Sequence, residues 1–218
     1  MKLVLLHSPL TSPATWAALA PVLRGRGHSV VVPDLTPAMR GNAPFYPKLV
    51  ARVAADDAIL VAHSGAGALV PAIAENSNLR GAIFLDALLP HPGRSWFQTA
   101  SPRLSAHLRG LAKDGRLPAW DRWWPTGAME ALLPQAAQRD AFSRELRAVP
   151  VAYLDEPAPD AMPGIPCAYL QLSEGYTPEA DQAEADGWAV ARLSLHHLAM
   201  LINTVVVADG IEGLAAAL

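Results

Sequence analysis

A serine at the end of an apolar run is the residue best placed to do chemistry. The run at 58–62 leads through His63 to Ser64, and the small residues 65–68 follow. A sharp turn between a strand and a helix admits only small neighbours and exposes its central side chain at the sheet edge. At a helix start, the N–H of Gly65 is available to an oxygen that becomes negatively charged. The pattern therefore predicts that Ser64 is a nucleophile.

Phosphate binding is the main alternative for this glycine-rich turn. Gly65 and Gly67 match part of a dinucleotide-binding fingerprint. However, Val70 stands where the third glycine belongs, and the run is not the first apolar run of the chain. The nucleophile interpretation is therefore favoured.

A nucleophilic serine needs a base, and the base needs an acid to orient it. Two adjacent histidines near the C-terminus, His196 and His197, are the candidates for the base. Asp86 ends the apolar run at 82–85. Burying an unpaired carboxylate is costly, so Asp86 is favoured as the acid.

Five short apolar runs are the elements that must position these residues. None of the first four alternates polar with apolar residues, which is typical of strands buried on both faces of a parallel sheet. The runs are 3–6, 29–32, 58–62, 82–85 and 167–172. Helical spacing separates them, at 15–24, 46–55, 66–74 and 177–185, with a terminal helix at 205–218. The alternation predicts an open α/β sheet in a single domain spanning residues 1–218.

The segment at 89–164 has a different character. It holds ten of the twenty prolines and four of the six tryptophans, and no buried-strand run. Helical spacing is visible at 102–111 and 135–146. We expect a helical insertion that sits over the sheet.

Composition excludes several classes of protein. The 218 residues are 51% hydrophobic and 17% charged with a net charge of −3, which excludes a disordered chain. The absence of a basic stripe argues against a nucleic-acid partner. The single cysteine, Cys167, excludes an internal disulfide and a multi-cysteine zinc site. With no apolar stretch of 18 residues and no signal-peptide pattern, we expect no membrane partner and a cytoplasmic protein.

On these residues the sequence resembles the α/β-hydrolase family. The family's usual nucleophile turn reads G-x-S-x-G, and here Ala62 and Ala66 occupy the two glycine positions around Ser64. The loop at 7–10, Trp16 in the next helical segment and the segment at 31–35 also resemble the family. The resemblance implies an α/β-hydrolase fold, with a mostly parallel central sheet flanked by helices and residues 89–164 as its cap insertion.

The resemblance also assigns an oxyanion hole and a base. Gly65 supplies one backbone N–H, but Pro9 stands at the usual second donor and has no N–H, so Leu10 is the replacement. The family's histidine is followed by methionine three residues later and by a Val-Ala pair. Counting from His197 gives Met200 and the pair at 207–208 in register, which favours His197 over His196.

The acid has two positions in such proteins. Many members carry it in the loop that corresponds to 173–178, where Glu174 is the available carboxylate. Some branches carry it at the strand end occupied here by Asp86, which we favour.

The implied activity is hydrolysis of a small apolar carboxylic ester or thioester through Ser64, His197 and Asp86. Tryptophans of the cap would wall an apolar substrate pocket: Trp96, Trp120, Trp123 and Trp124. No metal or other cofactor is expected, the partner is a small-molecule substrate, and the protein would be a monomer or homodimer. The alternative is a non-hydrolytic member of the fold, namely a lyase, a cyclase or a binding protein. A lyase of the hydroxynitrile type would need a cap lysine, and Lys113 is the only one.

Overall fold

A six-stranded parallel sheet forms the centre of the protein, in a computed structural model that describes residues 1–218. The chain has eight strands: β1 (Lys2–Leu6), β2 (Ser29–Val31), β3 (Ile59–His63), β4 (Gly81–Leu85), β5 (Arg116–Leu117), β6 (Val149–Pro150), β7 (Cys167–Gln171) and β8 (Ala189–Arg192). The strand order in the large sheet is β2-β1-β3-β4-β7-β8, and every neighbouring pair is parallel. All residues of β3 and β4 are buried, which explains why their sequences are apolar apart from His63 at the end of β3.

Ten α-helices flank the sheet or lie in the insertion. They are α1 (Leu19–Gly25), α2 (Tyr46–Val50), α3 (Val70–Asn76), α4 (Trp96–Thr99), α5 (Pro102–Leu111), α6 (Ala128–Leu132), α7 (Ala136–Glu145), α8 (Val151–Asp155), α9 (Thr177–Ala185) and α10 (Thr204–Ala215). None of them is both long enough and apolar enough to cross a bilayer. The prediction of an α/β fold with a parallel central sheet is confirmed.

The five predicted apolar runs form β1, β2, β3, β4 and β7, but three further strands were not predicted. β8 is an edge strand whose residues are partly or fully exposed, and the short apolar stretch at 188–191 that contains most of it is not among the predicted runs. β5 and β6 have only two residues each and pair antiparallel inside the segment at 89–164. The segment at 89–164 thus holds this short antiparallel pair in addition to helices α4 to α8.

Two predicted helices are broken in the structure. The segment predicted at 15–24 begins as a 3₁₀ helix at Pro13–Trp16 and resumes as α1. The segment predicted at 66–74 is a 3₁₀ helix at Ser64–Leu69 followed by α3, which has a proline in its first turn. In the second case Gly65 and Gly67 lower helix propensity and Pro71 fits the first turn of α3, so the α-helix begins only there.

Gly67 is the glycine that this turn requires. A Cβ built at Gly67 would overlap the backbone carbonyl oxygen of Leu88 and would lie 3.2 Å from the ring of Phe84. The segment after β4 is also hydrogen-bonded to the turn, because Leu88 N–H donates to the Ser64 carbonyl oxygen at 3.1 Å. The fully buried Ala66, one residue earlier, keeps its methyl group in the packed turn.

We expect Gly67→Ala to lower the free energy of unfolding by about 3 kcal/mol or more, since the backbone at Leu88 must move to admit the methyl group. Chemical denaturation monitored by circular dichroism measures this change. Gly110→Ala is the matched control, because Gly110 lies in α5 with open space around its Cβ position. That variant should gain about 0.5 kcal/mol from helix propensity. Equal stability of Gly67→Ala and wild type would contradict the close approach.

Candidate active site

Ser64 lies in the sharp turn between β3 and the 3₁₀ helix at Ser64–Leu69. Its backbone φ is +58°, a left-handed value that is uncommon for a residue with a side chain. Such a conformation persists only where the surrounding structure enforces it, and it is common at functional sites. Ser64 is 9% exposed and lines a cavity of about 870 Å³, called the main cavity below. The turn therefore presents the hydroxyl of Ser64 to this cavity.

Asp86 lies directly after β4, with φ of +44° and no exposed surface. Its Oδ1 accepts hydrogen bonds from the backbone N–H groups of Leu172 (2.8 Å) and Ser173 (2.9 Å). Its Oδ2 accepts from the hydroxyl of Ser173 (2.6 Å) and from Nδ1–H of His197 (2.7 Å). Burial opposes ionisation, but the hydrogen bonds from His197 and Ser173 outweigh it and hold the pKa of Asp86 below its ordinary value. Both carboxylate oxygens of Asp86 therefore have hydrogen-bond partners, and one of these partners is His197.

His197 is oriented by this carboxylate. A proton on Nδ1, donated to Asp86, leaves Nε2 as an unprotonated acceptor. The imidazole is parallel to the ring of Tyr176, with an interplanar angle of 3° and centroids 5.0 Å apart. It also packs against His63, with centroids 4.5 Å apart. His197 lines the main cavity together with Ser64, but no hydrogen bond joins Nε2 of His197 to Oγ of Ser64.

The two competing residues from the sequence have other surroundings. Nδ1 of His196 accepts a hydrogen bond from Leu198 N–H at 3.3 Å, while Nε2 is buried without a partner. His196 does not line the main cavity. Glu174 is exposed and makes no side-chain hydrogen bond to either histidine. The structure therefore brings together Ser64, His197 and Asp86.

The loop after β1 and the turn after β3 lie side by side at the main cavity. Gly65 and Leu10 both line it. The N–H of Leu10 donates to Oγ of Ser8 at 3.3 Å, so it is engaged within its own loop. A Cβ at Gly65 would lie 3.1 Å from the same hydroxyl oxygen, which shows how tightly the loop and the turn are packed.

The main cavity lies between the sheet edge and the segment at 89–164, and most of its lining is apolar. The four predicted tryptophans all line it: Trp96, Trp120, Trp123 and Trp124. Trp120 and Trp123 are buried, and Trp124 is 36% exposed. Glu179 is the one acidic residue in the lining, and its Oε2 is buried without a hydrogen-bond partner. Burial raises the pKa of Glu179, and the charge of Asp86 raises it further. A hydrogen bond from the backbone N–H of Glu179 to its own carboxylate opposes these effects.

Comparison with protein families identifies the chain. A sequence model described as the alpha/beta hydrolase family matches residues 3–210. The chain belongs to the alpha/beta hydrolase family. A comparison with curated protein sequences found no match.

Solved structures share the fold of this alpha/beta hydrolase at low sequence identity. An extracellular alpha/beta-hydrolase from a Paenibacillus species is 18% identical, with a TM-score of 0.80 and 98% of each chain covered. A pyrethroid hydrolase from Sphingobium faniae JZ-2 is 23% identical, with a TM-score of 0.71, covering 100% of this chain and 98% of that one. Tomato methylketone synthase I is 14% identical, with a TM-score of 0.69, covering 99% and 98%. These likenesses establish the shared fold.

Three side chains of this alpha/beta hydrolase lie at the site without having been assigned a role from sequence. Nε2–H of His63 donates to the carbonyl oxygen of His197 at 3.0 Å. Burial lowers the pKa of His63, and the neighbouring imidazole of His197 lowers it further. Tyr176 lies 3.4 Å from Ser64 through its hydroxyl. Ser173 donates to Asp86, as described above. Their residue types carry no motif, and only the spatial packing of three loops brings them together.

Lys113 lies away from this site. Lys113 is exposed, pairs with Arg116 in a tight turn and does not line the main cavity. The structure contains no group of three or more histidine, cysteine, aspartate or glutamate side chains arranged to hold a metal ion.

Proposed function

We propose that this alpha/beta hydrolase is a serine hydrolase that cleaves small apolar carboxylic esters or thioesters. The observation that carries the proposal is the 2.7 Å hydrogen bond between His197 and Asp86 beside a strained serine at a shared cavity. An imidazole held in this tautomer is the base that a serine nucleophile needs.

In the proposed reaction, Oγ of Ser64 attacks the carbonyl carbon while Nε2 of His197 takes the serine proton. The bond from carbon to the alcohol oxygen then breaks, and His197 returns its proton to that oxygen. Water attacks the acyl-serine in the same way and releases the carboxylic acid. Asp86 keeps the imidazole oriented and stabilises its charged form. Because the two groups are not hydrogen-bonded at rest, the contact between Ser64 and His197 forms when substrate binds.

The N–H of Gly65 is the proposed first donor to the oxyanion, since it follows the nucleophile at the start of the 3₁₀ helix. Leu10 remains the proposed second donor, and its N–H must release Ser8 to serve. Pro9 cannot contribute because it lacks an N–H.

The proposed substrate class follows from the main cavity. We propose that residues 89–164 act as a cap whose tryptophans contact the apolar parts of the ester, burying them away from water. Two proteins with the same fold are named as a pyrethroid hydrolase and a polyneuridine aldehyde esterase, and these names are consistent with ester cleavage. We further propose a monomer or homodimer that acts in the cytoplasm without a cofactor.

Labelling with a fluorophosphonate tests the proposal, because this probe phosphonylates only an activated serine. Intact mass spectrometry should find one adduct on wild type and none on the Ser64→Ala variant. Ser105→Ala is the matched control and should still be labelled, since Ser105 lies in α5 and donates to a backbone carbonyl outside the main cavity. An unlabelled wild type would overturn hydrolysis and favour a lyase, a cyclase or a binding role.

A further inference from the structure

Tyr176 places a hydroxyl group next to the nucleophile. Its oxygen lies 3.4 Å from Oγ of Ser64, and this contact is the only side-chain hydrogen bond that Ser64 makes. Its ring is parallel to the imidazole of His197. Tyr176 and His197 are therefore stacked beside Ser64, and all three residues line the main cavity.

The loop after β7, which carries Tyr176, also donates hydrogen bonds to Asp86. Ser173, at the start of this loop, donates to Asp86 through its N–H and its hydroxyl. The side-chain amide of Gln171 donates to the Ser173 carbonyl (3.0 Å) and to the Thr177 hydroxyl (2.8 Å), which ties together the two ends of the loop. These hydrogen bonds fix the position of the loop, and with it the hydroxyl of Tyr176, relative to Asp86 and His197.

Tyr176 is a hydrogen-bond donor at neutral pH. Burial raises the pKa of its phenol well above the ordinary value, and the charges of Asp86 and Glu179 add to that effect, while the contact with Ser64 opposes it. A phenol that keeps its proton can donate to an oxygen that gains negative charge.

We propose that Tyr176 hydrogen-bonds the alcohol oxygen of the ester as that oxygen departs. When Ser64 attacks, its proton passes to Nε2 of His197 and the Oγ–carbon bond forms. The bond between the acyl carbon and the alcohol oxygen then breaks, and the proton on Nε2 passes to that oxygen. Tyr176 keeps its own proton throughout and stabilises the charge on the departing oxygen beside His197. This inference rests on the proposed serine hydrolase function.

The dependence on the leaving group tests this role. An alkoxide leaving group builds up much charge and needs the hydrogen bond, whereas p-nitrophenolate is stable without it. We therefore expect Tyr176→Phe to lower kcat/KM for ethyl butyrate about tenfold or more, and for p-nitrophenyl butyrate less than about threefold. Phenylalanine keeps the ring against His197, so the variant removes the hydroxyl alone.

Tyr46→Phe is the matched control, since Tyr46 is a buried tyrosine packed against Tyr153 outside the main cavity. It should leave the ratio of the two kcat/KM values unchanged. Labelling of Tyr176→Phe by a fluorophosphonate shows that the variant is folded with an activated Ser64.

Two results would overturn the role of Tyr176. An equal loss with both esters would mean that Tyr176 only positions Ser64, and no loss with either would mean that its hydroxyl is idle. Failure of the hydrolase proposal gives a different result, because wild type would then neither be labelled nor cleave either ester.

Discussion

Replacing His197 by glutamine is expected to lower kcat/KM for an ester about 10⁵-fold, which is the scale of losing the base of such a triad. Glutamine has about the size of the imidazole but cannot take the serine proton at neutral pH. Among the histidines, only His197 donates to Asp86 and lines the main cavity with Ser64. Steady-state kinetics with p-nitrophenyl butyrate measures the loss.

His196→Gln is the matched control for this experiment. The side chain of His196 makes one hydrogen bond, to the backbone of Leu198, and does not line the main cavity. We expect kcat/KM to stay within about threefold of wild type, because the reacting atoms are untouched. If the His196 variant lost activity and the His197 variant kept it, the assignment of the base would be reversed.

The parallel sheet could be predicted because burial on both faces leaves an uninterrupted apolar run. Such a run also shows where each strand ends, and the ends of β3 and β4 are where Ser64 and Asp86 lie. β8 escaped prediction because two of its four residues are alanine, which is depleted in strands and makes its short apolar stretch a weak signal. Burial is not the whole signal, since the edge strand β2 is partly exposed and is still indicated by the run at 29–32.

The contacts around the site could not be predicted in the same way. Tyr176 contacts Ser64 although the two residues are 112 positions apart in the sequence, and Ser173 contacts Asp86 across 87 positions. No local spacing encodes contacts between loops so far apart in sequence. The role of Gly67 was hidden for the same reason, because the atom that excludes its Cβ belongs to Leu88 in another loop.

Replacing Asp86 by asparagine is expected to lower kcat/KM about 10⁴-fold, because it changes which nitrogen of His197 carries the proton. The amide oxygen would take the place of Oδ1, where two backbone N–H groups donate. The amide NH₂ would then face Nδ1 of His197 and donate to it. His197 would carry its proton on Nε2, where it must instead accept one from Ser64. Steady-state kinetics with p-nitrophenyl butyrate measures the loss.

Glu174→Gln decides between the two carboxylates, since Glu174 is the acid that the family's more common pattern would select. Glu174 is exposed, whereas Asp86 is fully buried and hydrogen-bonded to His197. An exposed carboxylate with no bond to the imidazole should contribute little, so we expect kcat/KM of this variant within about twofold of wild type. A large loss in Glu174→Gln together with an active Asp86→Asn would move the acid to the loop after β7. The hydrogen bonds of Asp86 would then serve only to join β4 to that loop.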